Sequence, residues 1–197
     1  MNKKVDTNTR KKILKVTGSL FAKRGYFGVS MDEIAKEVGV AKSALYYHFE
    51  NKEALCKELM EDSVKELKKE IKGVLEEGYT PMDAIFNLIR VFLDYTLKHP
   101  EINLLTSLDI STDKKLPITQ TIIDLRMELI RVIRETIVSA DIVRRRTRKY
   151  TFLLARSLVG FVLNPLLPKD MNPTELSNHF MTLLFSQKKA IPEVKTK

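Results

Sequence analysis

The stretch SMDEIAKEVGVAKSALYYHFENK, residues 30–52, constrains this chain more than any other. Its punctuation predicts two short helices joined by a tight turn, with a third helix about to start. Ser30 and Glu33 stand at the Ser-x-x-Glu spacing of a capping box, so a helix begins there. Met31, Ile34, Ala35 and Val38 then fall at i, i+3, i+4 and i+7, one apolar face of a short helix. Gly39 ends it, because glycine accepts the left-handed conformation that closes a helix. A second helix fits Ala41 to His48, with Leu45 and Phe49 turned inward. Its other face shows Lys42, Ser43, Ala44, Tyr46, Tyr47 and His48: hydrogen-bond donors, one lysine and two tyrosines, with no acidic residue. A short helix with that surface suits the major groove of DNA, flanked by phosphates.

Charge distribution supports a polyanionic partner. The formal net charge of the 197 residues is +9, and residues 1–52 hold eleven Lys and Arg against five Asp and Glu. Basic charge concentrated on one module points to nucleic acid; a solvated lysine-rich surface is the competing account. Seven Gly and seven Pro, mostly at breaks, among 44% hydrophobic residues favour an all-α chain with an ordinary core. Cys56 is the only cysteine. No intrachain disulfide can form, and a reducing compartment is expected. No apolar run approaches the roughly 20 residues that span a bilayer. The basic start MNKKVDTNTRKK has no apolar segment behind it, unlike a signal peptide. The expectation is a cytoplasmic protein with no membrane partner.

His48, His99 and His179 are far apart in sequence and belong to no Cys/His cluster, so no metal site is expected. There is no Gly-rich phosphate loop and no defensible Cys–His or Ser–His constellation, so neither a cofactor nor an enzyme is expected.

The remaining elements follow from caps and periodicity. The first helix is expected to run to about Arg24, capped by Asp6 or Thr7, with Ile13, Leu14, Thr17, Leu20 and Phe21 inward and Gly25 as its stop. Asn51 caps the fourth helix, which is expected from Lys52 to about Glu77, with Leu55, Leu59, Val64, Leu67, Ile71 and Val74 as its buried stripe and Gly78 as its end. Lys52 stands against the helix dipole, which suggests a phosphate docked at that helix start. Thr80-Pro81-Met82-Asp83 opens the fifth helix and His99-Pro100 breaks it. Glu101 to Ile110 reads as a sixth helix, Ile118 to about Val138 as a seventh, Tyr150 to Leu163 as an eighth and a ninth starts at Asn172-Pro173. Ser111 to Pro117 is a polar break, and Pro165 and Pro168 enforce a turn. The cluster Arg144 to Arg148 reads as a solvated helix start, with an acidic effector or DNA as competing partners. The last two helices form a hairpin more apolar than a monomer needs. Two such hairpins make an intermolecular four-helix bundle, with Leu154, Leu158, Phe161, Leu176, Phe180, Leu183 and Leu184 as interface candidates.

GVAKSALYYHFENKEAL resembles the recognition-helix signature of TetR-family transcriptional regulators, and TRKKILKVTGSLFAKRGYFGVSMDEIA is similar to that family's first helix and Gly-Tyr/Phe turn. The resemblance spans about fifty consecutive residues, the first quarter to third of the chain. It implies a three-helix helix-turn-helix head at 1–52, with the motif at about 30–49, and an effector-binding and dimerisation body at 53–197, about nine helices in all. It also implies a homodimer formed through the last two helices, which reads a palindromic operator. The DNA-binding set is Ser30, Met31, Lys42, Ser43, Ala44, Tyr46, Tyr47, His48 and Lys52, and the N-terminal arm, with Lys3, Lys4, Arg10, Lys11 and Lys12 near the start of the first helix, can approach phosphates, solubilising charge being the competing role of each.

Two positions depart from the family pattern. Ala41 stands where a capping Ser or Thr is usual, and Ala44 where a polar base reader is usual. An alanine there touches only a thymine methyl, so direct readout rests on Lys42 and Ser43. Lys42 suits either guanine or a phosphate. Tyr46, Tyr47 and His48 position the helix on the backbone, and either tyrosine has a core role as its alternative.

The resemblance further implies an effector pocket among the middle helices. Candidate lining residues are Phe86, Phe92, Tyr95, His99, Leu104, Leu105, Met127, Phe152 and Phe161, and plain packing is the competing role of each. Their apolar content points to a small hydrophobic or amphipathic effector. The expected function is a ligand-released repressor. A constitutive or architectural DNA-binding protein, and an activator of the same family, are the alternatives.

Overall fold

Cap chemistry decides where the helices begin and end. The structure is a computed structural model that describes residues 3–76, 80–107, 118–139, 154–160 and 172–185; of 3–7, 75–76, 106–107 and 183–185 it describes the backbone alone. Among these residues all regular structure is helical, in the order α1 Lys3–Arg24, α2 Met31–Val38, α3 Lys42–His48, α4 Lys52–Glu76, α5 Pro81–Lys98, a 3-10 turn Pro100–Asn103, α6 Leu104–Ser107, α7 Ile118–Ser139, α8 at 154–160 and α9 Pro173–Phe185. The expected all-α architecture is present.

The capping box forms as its spacing requires. The Glu33 amide donates to Ser30 Oγ at 3.2 Å, and the Ser30 amide donates back to Glu33 Oε2 at 2.8 Å. Gly39 closes α2 at φ 76°, donating its amide to the Ala35 and Lys36 carbonyls. The Asp83 amide donates to Thr80 Oγ1 and the Thr174 amide to Asn172 Oδ1, which starts α5 and α9 where the sequence placed them. α1 differs. It begins at Lys3, so Asp6 and Thr7 lie inside the helix rather than capping it. No Pro or Gly interrupts that stretch, so nothing stops the helix from extending. The segment after His99 also differs from a plain helix, because Pro100 opens a 3-10 turn before α6. The expected end of α4 at Gly78, the break at Ser111 to Pro117, the Arg144–Arg148 cluster and Pro165 and Pro168 lie outside the described residues.

Helices α1, α2 and α3 form the head, with Ile13, Phe21, Ile34, Val38, Leu45 and Phe49 buried at its centre. α4 leaves the head and packs against α5 and α7, and α9 lies across α5. The same buried cluster runs without a break from Ile13 in α1 to Phe180 in α9. The first turns of α4 belong to the head: Leu55 and Cys56 are wholly buried there, and Leu59 lies against Gly18 of α1. The 3-10 turn also packs on α1, which gives the head a second contact with the body.

Two glycines are required by geometry. A Cβ on Gly28 would lie 2.3 Å from the Arg24 carbonyl oxygen, inside any permitted contact. Gly39 holds a left-handed conformation that costs an L-residue about 1–2 kcal/mol. Gly39→Ala is therefore expected to lower unfolding stability by about 1–2 kcal/mol. Gly28→Ala is expected to cost more, because backbone must move. Urea unfolding followed by circular dichroism measures both; equal or negligible losses would contradict the steric argument.

Candidate nucleic-acid interface

The expected recognition helix, α3, holds few anchors of its own. Its cap position, Ala41, is extended and supplies no side-chain hydrogen bond. Only Leu45 is buried within its seven residues, and Phe49 follows as a buried stop. The helix is placed by its neighbours. Arg10 of α1 donates Nη1 to the His48 carbonyl at 2.7 Å, which ties down the last turn of α3. Its Nε donates to Glu58 Oε1 of α4 at 2.7 Å, and Nη2 pairs with Glu58 Oε2. The guanidinium also lies 4.3 Å over the Phe49 ring. One side chain thus joins α1, α3 and α4, in the bidentate geometry for which arginine is suited.

Lys52 makes a second fixed point. Its ammonium donates to the carbonyls of Tyr26 at 3.0 Å and Val29 at 2.9 Å, and sits 4.3 Å over the Tyr26 ring. That ammonium holds the turn between α1 and α2 against the start of α4. Two of its donors are taken inside the protein, so the explanation for a lysine at this helix start is the turn carbonyls. Burial pushes the Tyr26 hydroxyl well above the usual tyrosine range, so it stays neutral beside the lysine.

With the helix fixed from beneath, its outer face is left to solvent. Tyr47 is 79% exposed and Tyr46 43% exposed, so neither is core; Lys42 and Ser43 are exposed, and Ala44 and His48 are half-buried. The Tyr47 and His48 rings meet edge to face at 5.5 Å. Lys42 Nζ lies 2.7 Å from Asp32 Oδ1 of α2 and 6.0 Å from the Tyr46 ring. The Asp32 hydrogen bond and charge hold the Lys42 ammonium above its ordinary pKa. An exposed pair of this kind is weak because solvent screens it, so a phosphate or a guanine edge can displace Asp32 at little cost.

The remaining expected contacts fall differently. Met31 is buried among the core of α2 and does not reach the outer face; its i, i+3, i+4 register with Ile34 and Ala35 turns it inward. Ser30 is exposed, but its hydroxyl belongs to the capping box and also donates to Glu33 Oε2 at 2.8 Å. Arg10 lies in the joint between helices and not on a free arm. Three features of the head were not read from the sequence: the clamping role of Arg10, Asp32 as the partner of Lys42, and the exposure of Phe27, 70% beside Tyr26. The first two are long-range pairs without a local signature, whereas an exposed aromatic in the Gly-Tyr-Phe-Gly turn was visible but read as turn chemistry.

In the body, the expected pocket residues separate. Phe92, Leu104 and Leu105 are packed core, Phe86 is half-buried and Met127 is exposed. The spacing of Phe92, Leu104 and Leu105 turns them into the shared core. Phe152 and Phe161 lie outside the described residues. Tyr95 and His99 do line a cavity, of about 1030 Å³, but it opens between α4 and α5, and apart from Gly73, Val74 and Val91 its other walls are charged or polar. Their rings stack at 4.3 Å, and the Tyr95 hydroxyl donates to the Ser63 carbonyl at 2.9 Å. Burial raises the Tyr95 pKa well above the usual range.

The expected dimer residues divide in the same way. Leu158, Leu176 and Phe180 are buried within the chain, because α9 packs across α5, and Leu154 is half-buried. Phe161 and the side chains of Leu183 and Leu184 are outside the described set. Cys56 is wholly buried, and desolvation pushes its thiol up to about 12, which keeps it protonated and unreactive. Among the described residues no group of three or more His, Cys, Asp or Glu could hold a metal, and no helix is long and apolar enough to cross a membrane.

Lys52→Met is expected to cost about 1–3 kcal/mol, since two carbonyl acceptors lose a charged donor. Tyr47→Ala is expected to stay within about 0.5 kcal/mol of the parent. Thermal unfolding of the two variants separates the fixed point from the free face. Glu33 provides a pH test. The Ser30 amide, then the Arg24 guanidinium and the Ser30 hydroxyl, lower its carboxyl to about 2. A depressed carboxyl stabilises the fold above its ordinary range and loses that contribution as pH falls through the folded value. The α2 cap therefore stays formed to near pH 2; a carbon-13 titration of Glu33 with an ordinary carboxylate midpoint would contradict it.

Comparison with known proteins agrees with this geometry. Residues 13–59 match the model for bacterial regulatory proteins of the tetR family. An uncharacterized HTH-type transcriptional regulator in the lacX 3' region of Lactococcus lactis subsp. lactis is 28% identical over 62% of this chain and 66% of its own length. The biofilm operon icaADBC HTH-type negative transcriptional regulator IcaR of Staphylococcus epidermidis is 39% identical over 26% of this chain and 28% of its own. The matched stretches thus span less than two thirds of these relatives. The fold extends further. The crystal structure of AibR in complex with isovaleryl coenzyme A and operator DNA superposes with a TM-score of 0.71 over 90% of this chain and 98% of that one, at 21% identity. FadR from Bacillus subtilis in complex with stearoyl-CoA gives 0.69 over 89% and 97%, at 18% identity. The helix-turn-helix head at 13–59 thus matches the model of the tetR family, and the helical body behind it has the fold of the TetR-family regulator structures.

Proposed function

We propose that the chain is a homodimeric repressor that holds a palindromic operator with α3 and releases it when a small amphipathic effector binds the body. The observation that carries the reading is the outer face of α3. Lys42, Ser43, Tyr46 and Tyr47 are exposed on a helix fixed from below by Arg10. Lys42 and Ser43 are the base-reading candidates, Ala44 an apolar contact, and the tyrosines and His48 the backbone contacts. One such helix touches few base pairs. A twofold dimer doubles them and sets half-sites about 34–36 Å apart. The name of IcaR, a negative regulator, supports repression. The coenzyme A thioesters bound to AibR and FadR support an effector with an apolar tail and an anionic head. The division into a head at 1–52 and a body at 53–197 belongs to the same proposal, with α4 shared between them. So does a cytoplasmic location, where the chromosome and such thioesters are found.

The test is selection from a random DNA pool at fixed salt. The parent protein is expected to enrich one palindrome. Tyr47→Ala is expected to weaken it about uniformly, as loss of a backbone contact does. Lys42→Ala distinguishes its two roles. A phosphate contact lowers the salt slope by about 1, whereas a guanine contact costs about 1–3 kcal/mol and relaxes one position. Binding that depends on salt but selects no sequence would favour the architectural alternative. Operator affinity is then measured with and without a long-chain acyl-CoA; an unchanged value would refute effector release.

A further inference from the structure

The cavity between α4 and α5 has a composition that the core of the body does not share. Its walls hold six cations, Lys65, Lys68, Lys69, Lys72, Arg90 and Lys98, against three carboxylates, Glu66, Glu70 and Asp94. Two of the cations have carboxylate partners: Lys68 pairs with Glu128 of α7, and Lys98 with Asp94 at 2.6 Å. Lys65, Lys69, Lys72 and Arg90 form no ion pair among the described residues; Arg90 gives Nε to Asn87 Oδ1 at 3.2 Å. Lys65, Lys69 and Lys72 are spaced i, i+4 and i+7 on α4. Like charges at that spacing repel, and the fold keeps them on the wall of a concavity. At about 1030 Å³ the cavity has the size of a small-molecule site. It begins about 20 Å along α4 from the start of that helix, well away from α3.

We propose that this α4–α5 cavity is an anion site for a phosphate-bearing small molecule, held by Lys65, Lys69, Lys72 and Arg90, whose occupancy is felt in the head through His99 and Glu101. The proposal deepens the effector reading above and rests on it. Lysine ammonium groups are compact charges suited to phosphate oxygens, and arginine adds a forked donor. The three carboxylates among the cations disfavour a continuous nucleic-acid backbone and suit a ligand with a localised charge.

The line to the head is short. His99 lies in the cavity wall, stacked on Tyr95, and its Nδ1 is 3.4 Å from Glu101 Oε1. Glu101 belongs to the 3-10 turn that packs on α1, and its Cδ and Cγ lie 3.4 and 3.5 Å from where a Cβ on Gly18 would stand. α1 in turn holds the end of α3 through Arg10. A ligand that displaces His99 therefore moves a contact that the recognition helix depends on, and reciprocity requires operator binding to alter ligand affinity in the same measure.

The full-length protein is titrated calorimetrically with inorganic diphosphate at fixed low salt. Saturable binding to the parent is expected, weakened at least about tenfold in a Lys69→Glu, Lys72→Glu double variant, since two attractive charges become repulsive. Lys57→Glu, on the same helix outside the cavity, is expected to bind as the parent does. These lysines are exposed, so both variants fold, which circular dichroism checks. Diphosphate is then titrated with and without operator bound. The parent is expected to show an affinity difference, and Gly18→Leu, which drives a side chain into Glu101, is expected to lose it while still binding diphosphate. Equal affinity in the double variant and the parent, or no saturable binding, overturns the site. Competition by random duplex DNA for the same lysines overturns the small-molecule assignment in favour of a second DNA contact. If the parent selects an operator yet none of these effects appears, the anion site fails alone. If the parent selects no operator, the repressor reading fails first.

Discussion

The rest of the structure depends on one apolar stripe along α4. Leu55, Cys56, Leu59 and Met60 face the head, and Val64, Leu67, Ile71 and Val74 face α5 and α7; each is at most 6% exposed. Full burial of a side chain of this size contributes about 1.5–3 kcal/mol. No part of α4 can slide or turn without exposing several of them, so the helix moves as a rigid strut. The head has no separate core that would let it swing freely, because the stripe continues the buried cluster from α1 into α9. In the proposed dimer, a change in the spacing of the two heads must therefore come from the way α4 is held in the body, or from the second contact that the 3-10 turn makes with α1.

The charges of the head are arranged on top of that strut and are partly answered within the protein. Asp32 pairs with Lys42, Glu33 with Arg24 and Glu58 with Arg10, while Lys52 is held by two carbonyls. The excess of basic residues counted along the chain overstates what a DNA duplex would meet. The pairs differ in kind. Lys42–Asp32 is exposed and weak, and it exchanges readily for an outside partner. Arg10–Glu58 is partly buried, bidentate and joined to a carbonyl, so it behaves as structure. Lys42, Lys52 and Arg10 thus divide into one that is available and two that are committed, a division set by tertiary geometry and not by charge.

Most of the fold was legible because its signals are local. Ser30 with Glu33, Gly39, Thr80 with Pro81 and Asn172 with Pro173 each fix a helix end within four residues of sequence, and the stripe of α4 repeats at helical spacing. The outer face of α3 was legible for the same reason: once Leu45 and Phe49 turn inward, Lys42, Ser43, Tyr46 and Tyr47 have nowhere else to point. What escaped depends on contacts across the chain. Met31 reads as apolar face by its spacing and as a DNA contact by resemblance until α2 is laid against α1. Lys52 reads as a phosphate ligand until the Tyr26 and Val29 carbonyls arrive from 26 and 23 residues away. Phe92, Leu104 and Leu105 have the composition of a ligand pocket and of a core alike, and only packing separates the two. The basic wall of α4 was not singled out, since nothing in the periodicity of lysine shows that α5 forms a concavity with it.

The weak internal support of α3 is then consistent with regulation. A recognition helix with a strong cap and a broad buried face would keep its place whatever its neighbours did. Here Ala41 gives no cap, Leu45 alone is buried within the helix, and the last turn hangs from Arg10. The position of α3 is set by α1 and α4 together. Both of those helices reach the body, α4 through its stripe and α1 through the 3-10 turn at Gly18. Base-edge hydrogen bonds tolerate only a few tenths of an ångström before they lengthen past useful range. A helix placed from both sides by elements of the body is therefore one whose grip on DNA a small rearrangement in that body is able to change.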